Sequence, residues 1–245
     1  MVSFYFSPCT LTPAQRLTYW AENFHRVGFY PIIVTRAWNK EIKTHQDTKI
    51  PLGDGVEVQK FPNYEVHYLP FQPGILDRAY HRFGEGFLRP IFLITKLFDV
   101  FLAKFTLAFT SYANFLPYLK ELLKKEDPEK MVISGEPFYL FRIGFKLHQK
   151  FGIHWIADYR DDWSTNELQM EKGSGGLRKW IAKVESSYEK KWVGTADSII
   201  SVSDPYTQRI CDFLKKPGIT IQNGFEESVL NLPEAELHDQ FTVMY

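Results

Sequence analysis

The sequence predicts an α/β protein, a Rossmann-like three-layer sandwich around a mostly parallel sheet. Three observations carry this reading. Short apolar runs alternate along the 245 residues with amphipathic segments of helix length. Helix start and stop signals fall at the borders of those segments. Apolar residues make up 44% of the chain, enough for an ordinary buried core.

Taken in order, residues 2–6 read as a first strand. A helix follows over 13–27, with Thr12 as N-cap, Pro13 at its first position and Gly28 just past its end. Residues 30–35 form a second strand, and 56–61 and 66–69 two short ones bounded by proline. Further strands fall at 131–134, 153–158, 198–202 and 219–222, with helices over 138–151, 177–193 and 204–215 between them. Repeated βα order of this kind gives parallel strands covered by helices on both faces. Residues 74–125 break the rhythm and read as two long helices, split near 110–114. Residues 230–240 are polar and linker-like, and 241–245 open as a strand. The expected organisation is one domain over 1–228, then, over 229–245, a linker and the first strand of a further domain.

Composition narrows the function. Lysine plus arginine equals aspartate plus glutamate, 29 each, which disfavours nucleic acid as a partner because phosphate binding needs a basic excess. Cys9 and Cys211 form no CxxC pair and suit free thiols in a reducing compartment. Residues 1–8 lack the pattern of a signal peptide, and no stretch reaches 18 uncharged apolar residues. The seven histidines form no spaced ligand set, and neither a G-x-G-x-x-G nor a Walker loop occurs, so no metal and no cofactor is expected. Aromatics reach 16%, a supply of rings that fills cores and also suits carbohydrate or membrane surfaces.

In open α/β sheets ligands bind beyond the carboxyl ends of the strands. Polar clusters stand there after strand upon strand: Ser7 to Arg16 after the first, Ser134, Gly135, Glu136, Pro137 and Phe138 after the 131–134 strand, Ser203 and Asp204 after 198–202, and Asn223, Gly224 and Phe225 after 219–222. The densest is Asp158-Tyr159-Arg160-Asp161-Asp162-Trp163, whose three carboxylates and arginine are expected to face one another and position an arginine fork, hold sugar hydroxyls or shift a carboxylate pKa. The alternative is a helix cap with a surface ion pair. Arg16, early in the first helix, opposes the helix dipole and suits a nearby anion, with an exposed helical arginine as the alternative.

A helical wheel over 87–109 puts Ile91, Ile94, Leu97, Phe98, Phe101, Phe105 and Phe109 on one stripe, read as core. Leu93, Val100 and Leu107 then face outward beside Lys96 and Lys104. That arrangement suits a membrane surface, with packing against a helix or partner chain as the alternative.

Several motifs resemble a known family. They are Ser134-Gly135-Glu136-Pro137-Phe138, then Gly144, then W-I-A-D-Y-R-D-D-W over 155–163, A-D-S-I-I-S-V-S over 196–203 and I-Q-N-G-F over 221–225. Their order and spacing resemble the N-terminal domain of glycosyltransferase family 4, and 4–16 and 28–36 resemble its opening strand, loop, helix and second strand. The resemblance covers the whole chain. It implies the N-terminal half of a GT-B fold and a retaining, metal-independent glycosyltransferase using a nucleotide-sugar donor. This half binds the acceptor, a cell-surface glycan or lipid-linked precursor, and the missing half grips the donor, so the 245-residue chain alone is expected to be inactive. It also implies a cytoplasmic protein, peripheral at the inner membrane face. The sequence departs from the family in three places: no glycine in the loop at 9–13, Asp162 where a proline is usual, and Arg160 where a histidine is common. By position, Asp161 contacts the reacting sugar or acceptor, with Asp158 and Arg160 in support. Ser7, Arg16, Ser134, Gly135, Trp163, Ser203, Asn223 and Gly224 complete the expected binding set. Two alternatives stand beside it: a non-catalytic domain that binds a glycan or partner, and a nucleotide-sugar epimerase relative.

Overall fold

In a computed structural model, the chain is described over residues 1–39, 45–74, 77–78, 82, 97–98, 100–165 and 176–224. Among the described residues, seven strands form around an N-terminal bridge. Helix α1 spans Thr12–Asn23, and strands β1 Ile32–Arg36, β2 Glu57–Lys60 and β3 Glu65–Leu69 follow. Helix α2 covers Phe115–Glu126, then come β4 Met131–Ser134, α3 Phe141–Phe151 and β5 Trp155–Asp158. Helix α4 spans Gly176–Val193, β6 Ser198–Ser201, α5 Asp204–Leu214 and β7 Gly218–Thr220. β4, β5, β6 and β7 lie in that order, all parallel. β1 pairs parallel with β3, and β2 adds an antiparallel edge to β3.

The expected first strand is reduced to a bridge, yet it joins the two sheets. Val2 pairs in parallel with both Val34 of β1 and Ile133 of β4. Its N–H donates to Val132 O at 2.8 Å, and its carbonyl accepts from Ser134 N at 2.9 Å. The sheet therefore runs β2-β3-β1-Val2-β4-β5-β6-β7. The chain first steps outward to β1 and β3, then returns to place β4 on the other side of Val2. That reversal is the topological switch point of a doubly wound sheet.

Alternation along β1 feeds two cores. Ile33 packs with Phe6, Val66 and Tyr68 against Leu17 and Ala21 of α1. Val34, on the opposite face, joins Leu69, Phe71, Ile133 and Trp155 under Phe115 of α2 and Ile143 of α3. Gly144 lets α3 approach β5: a Cβ there would lie 2.8 Å from Ile133 Cδ1 and from Trp155 Cε3.

Two details of the expected elements change. Leu11, not Thr12, caps α1, because Ala14 N–H donates to Leu11 O at 2.9 Å and Thr12 is already helical. The last turn, Phe24–Val27, tightens into a 3-10 helix that Gly28 ends with φ 84°.

The larger correction concerns the phenylalanine stripe. Val100, Ala103 and Leu107 are buried in the main core, whereas Phe98, Phe101, Phe105 and Phe109 are exposed. Leu97 is half-buried against the core. The two faces are thus exchanged relative to the wheel. Both rows have helical spacing and both are apolar, so periodicity alone cannot choose between them. The helical wheel also ends at Ala103, where the chain turns. Ile91, Leu93, Ile94 and Lys96 lie outside the described residues, as do 225–245, which hold Phe225 and the expected linker and final strand.

Candidate functional site

The carboxyl ends of all the parallel strands share one edge, and the switch point lies between Val2 and β4. Three segments leave the sheet there. The N-terminal bridge leads to Tyr5, β4 leads to Ser134, Gly135 and Glu136, and β5 leads to Arg160 and Asp161. Tyr5 feels the charges of Glu136 and Arg160, and Glu136 feels those of Asp161 and Arg160. Burial pushes the Glu136 carboxyl above its ordinary range; Asp161 pushes the same way and Arg160 pulls back. Burial likewise raises the Tyr5 phenol, with Glu136 adding to the rise. Arg160 Nε and Nη1 are buried and find no acceptor among the described residues. Asp161 is exposed at the mouth.

Beneath these strand ends lies a buried polar layer. Ser134 Oγ donates to Asp158 Oδ2 at 2.7 Å. Arg16 Nη2 faces Asp158 Oδ1 at 3.3 Å. Arg16 Nη1 donates to Ile221 O at 2.5 Å and to Asn223 Oδ1 at 3.1 Å, while its guanidinium lies 4.5 Å from the Trp20 ring centroid. The anion that Arg16 needs at the helix start is thus Asp158 of the same chain. Burial pushes the Asp158 carboxyl up, and Arg16, Ser134 and Arg160 oppose that push.

The residues of the 158–163 cluster therefore do not all face one another. Asp158 is fully buried, its Oδ2 accepting from Ser134 and its Oδ1 facing Arg16. Asp162 turns aside to Arg209 of α5, at 2.6 Å. Trp163 is buried, stacked on Phe138 at 5.4 Å and 6° and tilted against Trp192, so it holds the loop rather than lining the crevice. Tyr159 Oη donates to Glu189 Oε1 at 2.9 Å, and Ser164 N–H donates to Glu189 Oε2 at 3.1 Å. This clamp fixes the backbone that presents Arg160 and Asp161.

The remaining expected residues scatter. Gly135 donates its N–H to Asp158 O at 2.9 Å, and a Cβ there would stand 2.8 Å from Phe138 and Phe141. Ser7 bonds backward, its N–H to Thr18 Oγ1 and its carbonyl to the Tyr68 hydroxyl. Ser203 accepts from Thr207 at the start of α5. Gly224 is exposed, and a Cβ there would meet nothing within 4 Å. No described contact joins Ser203 or Gly224 to Arg160 or Glu136.

Sequence reasoning missed Tyr5 and Glu189, and placed Glu136 in a strand-end cluster without giving it a role. Glu136 had a visible signal, a carboxylate two residues past a strand end. Glu189 had only a faint one, a charge beside Tyr188 and Trp192. A cavity of about 430 Å3 lined by Lys49, Pro51, Gln72, Pro73 and Arg78 opens past the end of β3 and shares no residue with the crevice. Its lining carries an ammonium, a guanidinium and an amide but no carboxylate, whereas the strand ends bring carboxylates and a guanidinium together and are the stronger candidate. Among the described residues, no group of three His, Cys, Asp or Glu could hold a metal, and no helix is long and apolar enough to cross a membrane.

Comparison with known proteins adds little. No protein-family model matches the chain, and no curated protein matches it. Among solved structures, a sucrose-phosphate synthase from Thermosynechococcus elongatus superposes with a TM-score of 0.46 at 14% identity, over 94% of this chain and 90% of that one. A likeness of that size carries no functional argument. What the chain itself defines is an α/β, Rossmann-like domain with polar groups gathered where β4 and β5 end beside its switch point.

Proposed function

We propose that this chain is the acceptor-binding part of a glycosyltransferase that takes its sugar from a nucleotide-sugar donor. The single observation supporting this reading is the set of groups converging at the switch point. Tyr5, Glu136, Arg160 and Asp161 bring a phenol, two carboxylates and a guanidinium with unpaired buried nitrogens to one crevice. Carboxylates accept hydrogen bonds from sugar hydroxyls, and a planar guanidinium donates to two oxygens at once. The resemblance of 134–138, 155–163, 196–203 and 221–225 to glycosyltransferase family 4 points the same way.

Asp161 is the exposed carboxylate at the mouth and is assigned to the reacting sugar or acceptor. Arg160 orients the acceptor, while Asp158 and Ser134 hold the β4 and β5 ends in register beneath it. On this reading the mechanism is retaining, the donor is gripped by a second domain, and the 245-residue chain alone transfers nothing. The acceptor belongs to the cell-surface glycan or lipid-linked class, and the work is done at the cytoplasmic side. The test is Asp161→Ala in the intact enzyme, assayed for nucleotide-sugar turnover alongside thermal unfolding. Loss of transfer with an unchanged Tm supports the assignment. Near-normal turnover overturns it, and sugar transfer by the 245-residue chain alone overturns the division of labour.

A further inference from the structure

The exchanged faces around residue 100 leave an outward row of four phenylalanines. Phe98, Phe101, Phe105 and Phe109 are 56%, 55%, 61% and 48% exposed. Phe101 and Phe105 touch, with ring centroids 5.4 Å apart. Four half-exposed rings present on the order of 400 Å2 of apolar surface, the size at which patches on soluble proteins are functional.

The row is not a core face that failed to seat, because the opposite side is firmly held. Val100, Ala103 and Leu107 are buried. The buried Tyr188 hydroxyl of α4 donates to Val100 O at 2.8 Å. Arg142 of α3, itself buried, donates through Nη2 to Phe105 O at 2.6 Å and to Lys104 O at 3.2 Å. Rotating the phenylalanines inward would break all three bonds and expose the core row.

Among the described residues, the charge within the row is Lys104, although the chain as a whole is neutral. Lys104 is exposed within the row, its ammonium 5.7 Å from the Phe105 ring centroid. One turn along α3 from Arg142 stands Lys146. Burial pushes the Lys146 ammonium down, and Arg142, Lys191 and Lys120 push it further. Among the described residues, none of Lys104, Lys120, Lys146 and Lys191 makes an ion pair with a carboxylate. Rings that reach beneath headgroups, edged by lysines that meet anionic phosphates, are the pattern of an interfacial membrane contact.

We infer that the Phe98–Phe101–Phe105–Phe109 row docks this protein on a bilayer surface bearing anionic headgroups. The rings enter the boundary between headgroups and acyl chains, and Lys104, Lys146 and their neighbours pair with headgroup phosphates. This inference stands apart from the acceptor reading: it needs no sugar, donor or second domain.

The test is co-sedimentation with vesicles of phosphatidylcholine alone and of phosphatidylcholine with about one third phosphatidylglycerol. The protein should partition at least tenfold more strongly onto the anionic vesicles, and added salt should weaken that binding. Phe101→Asp/Phe105→Asp should lose at least tenfold, with an unchanged far-ultraviolet spectrum because both side chains are exposed. Lys104→Glu/Lys146→Glu should lose binding to anionic vesicles only. If the double aspartate variant does not fold, Phe105→Trp serves instead: its emission should be quenched by brominated acyl chains beyond the level seen for the parent. Equal sedimentation of parent and aspartate variant overturns the inference, as does absence of that added quenching. It is also overturned if the protein ignores both vesicles and forms a dimer that the aspartates abolish, which would make the row a protein interface.

Discussion

Arg16 of α1 and Asp158 of β5 pair at 3.3 Å inside the molecule, with side chains only 5% and 0% exposed. The same guanidinium reaches Ile221 O and Asn223 Oδ1, so one cation ties the first helix, the central strand and the loop after β7. A buried pair of this kind adds little net stability, but breaking it strands a charge. Arg16→Met should therefore cost about 3 kcal/mol in urea unfolding. Arg16→Met/Asp158→Asn should recover at least half of that loss. A single variant as stable as the parent would show that the pair is not holding the three elements together.

The Gly144 site makes a packing claim. A Cβ would meet Ile133 Cδ1 and the Trp155 ring at 2.8 Å, and the rigid indole of a fully buried tryptophan cannot step aside. Gly144→Ala normally favours a helix through propensity. Here it should destabilise by about 2 kcal/mol through overpacking. A thermal midpoint at or above that of the parent would contradict the close approach of α3 to β5.

Strand positions were readable because apolar runs and breakers are local signals. β4 and the strand ends at Asp158 and Ser134 fell where expected, and with them the edge that carries the crevice. What lay hidden was non-local. Nothing near Arg16 in sequence announces that its anion is Asp158, well over a hundred residues away. Three carboxylates in six residues look alike on paper, yet one points into the core, one to Arg209 and one to solvent. The phenylalanine row failed for a different reason: two apolar rows offset by a fraction of a turn are equivalent until the Arg142 and Tyr188 bonds choose between them.

The crevice should titrate in a telling way. Burial and Asp161 raise the Glu136 carboxyl, and Arg160 lowers it. A carboxyl raised in the folded state binds its proton more tightly there than in the unfolded chain. Its contribution is present at low pH and is lost as pH rises through the folded value. Asp161→Asn should move the Glu136 midpoint down, and Arg160→Met should move it up, read by carbon-13 NMR of the labelled carboxyl. Movement of either variant in the other direction would mean that the three groups do not share the crevice.

The clamp beneath Arg160 gives the sharpest contrast between charge and hydrogen bonding. Glu189 is fully buried and accepts from the Tyr159 hydroxyl and the Ser164 N–H. Burial pushes its carboxyl up, against the pull of those two donors. A glutamine can serve the same two partners, because its carbonyl accepts from Ser164 and its amide meets the tyrosine oxygen. Glu189→Gln should thus change stability by less than about 1 kcal/mol. It should also flatten the loss of stability that a raised carboxyl causes as pH rises. Glu189→Leu leaves the Tyr159 hydroxyl and the Ser164 N–H buried without a partner and should cost about 2 to 4 kcal/mol. Because the 159–164 backbone presents Arg160 and Asp161, Glu189→Leu should also speed amide exchange at Ser164, whereas Glu189→Gln should not. Equal stability of the two variants would show that the clamp packs the loop without anchoring it.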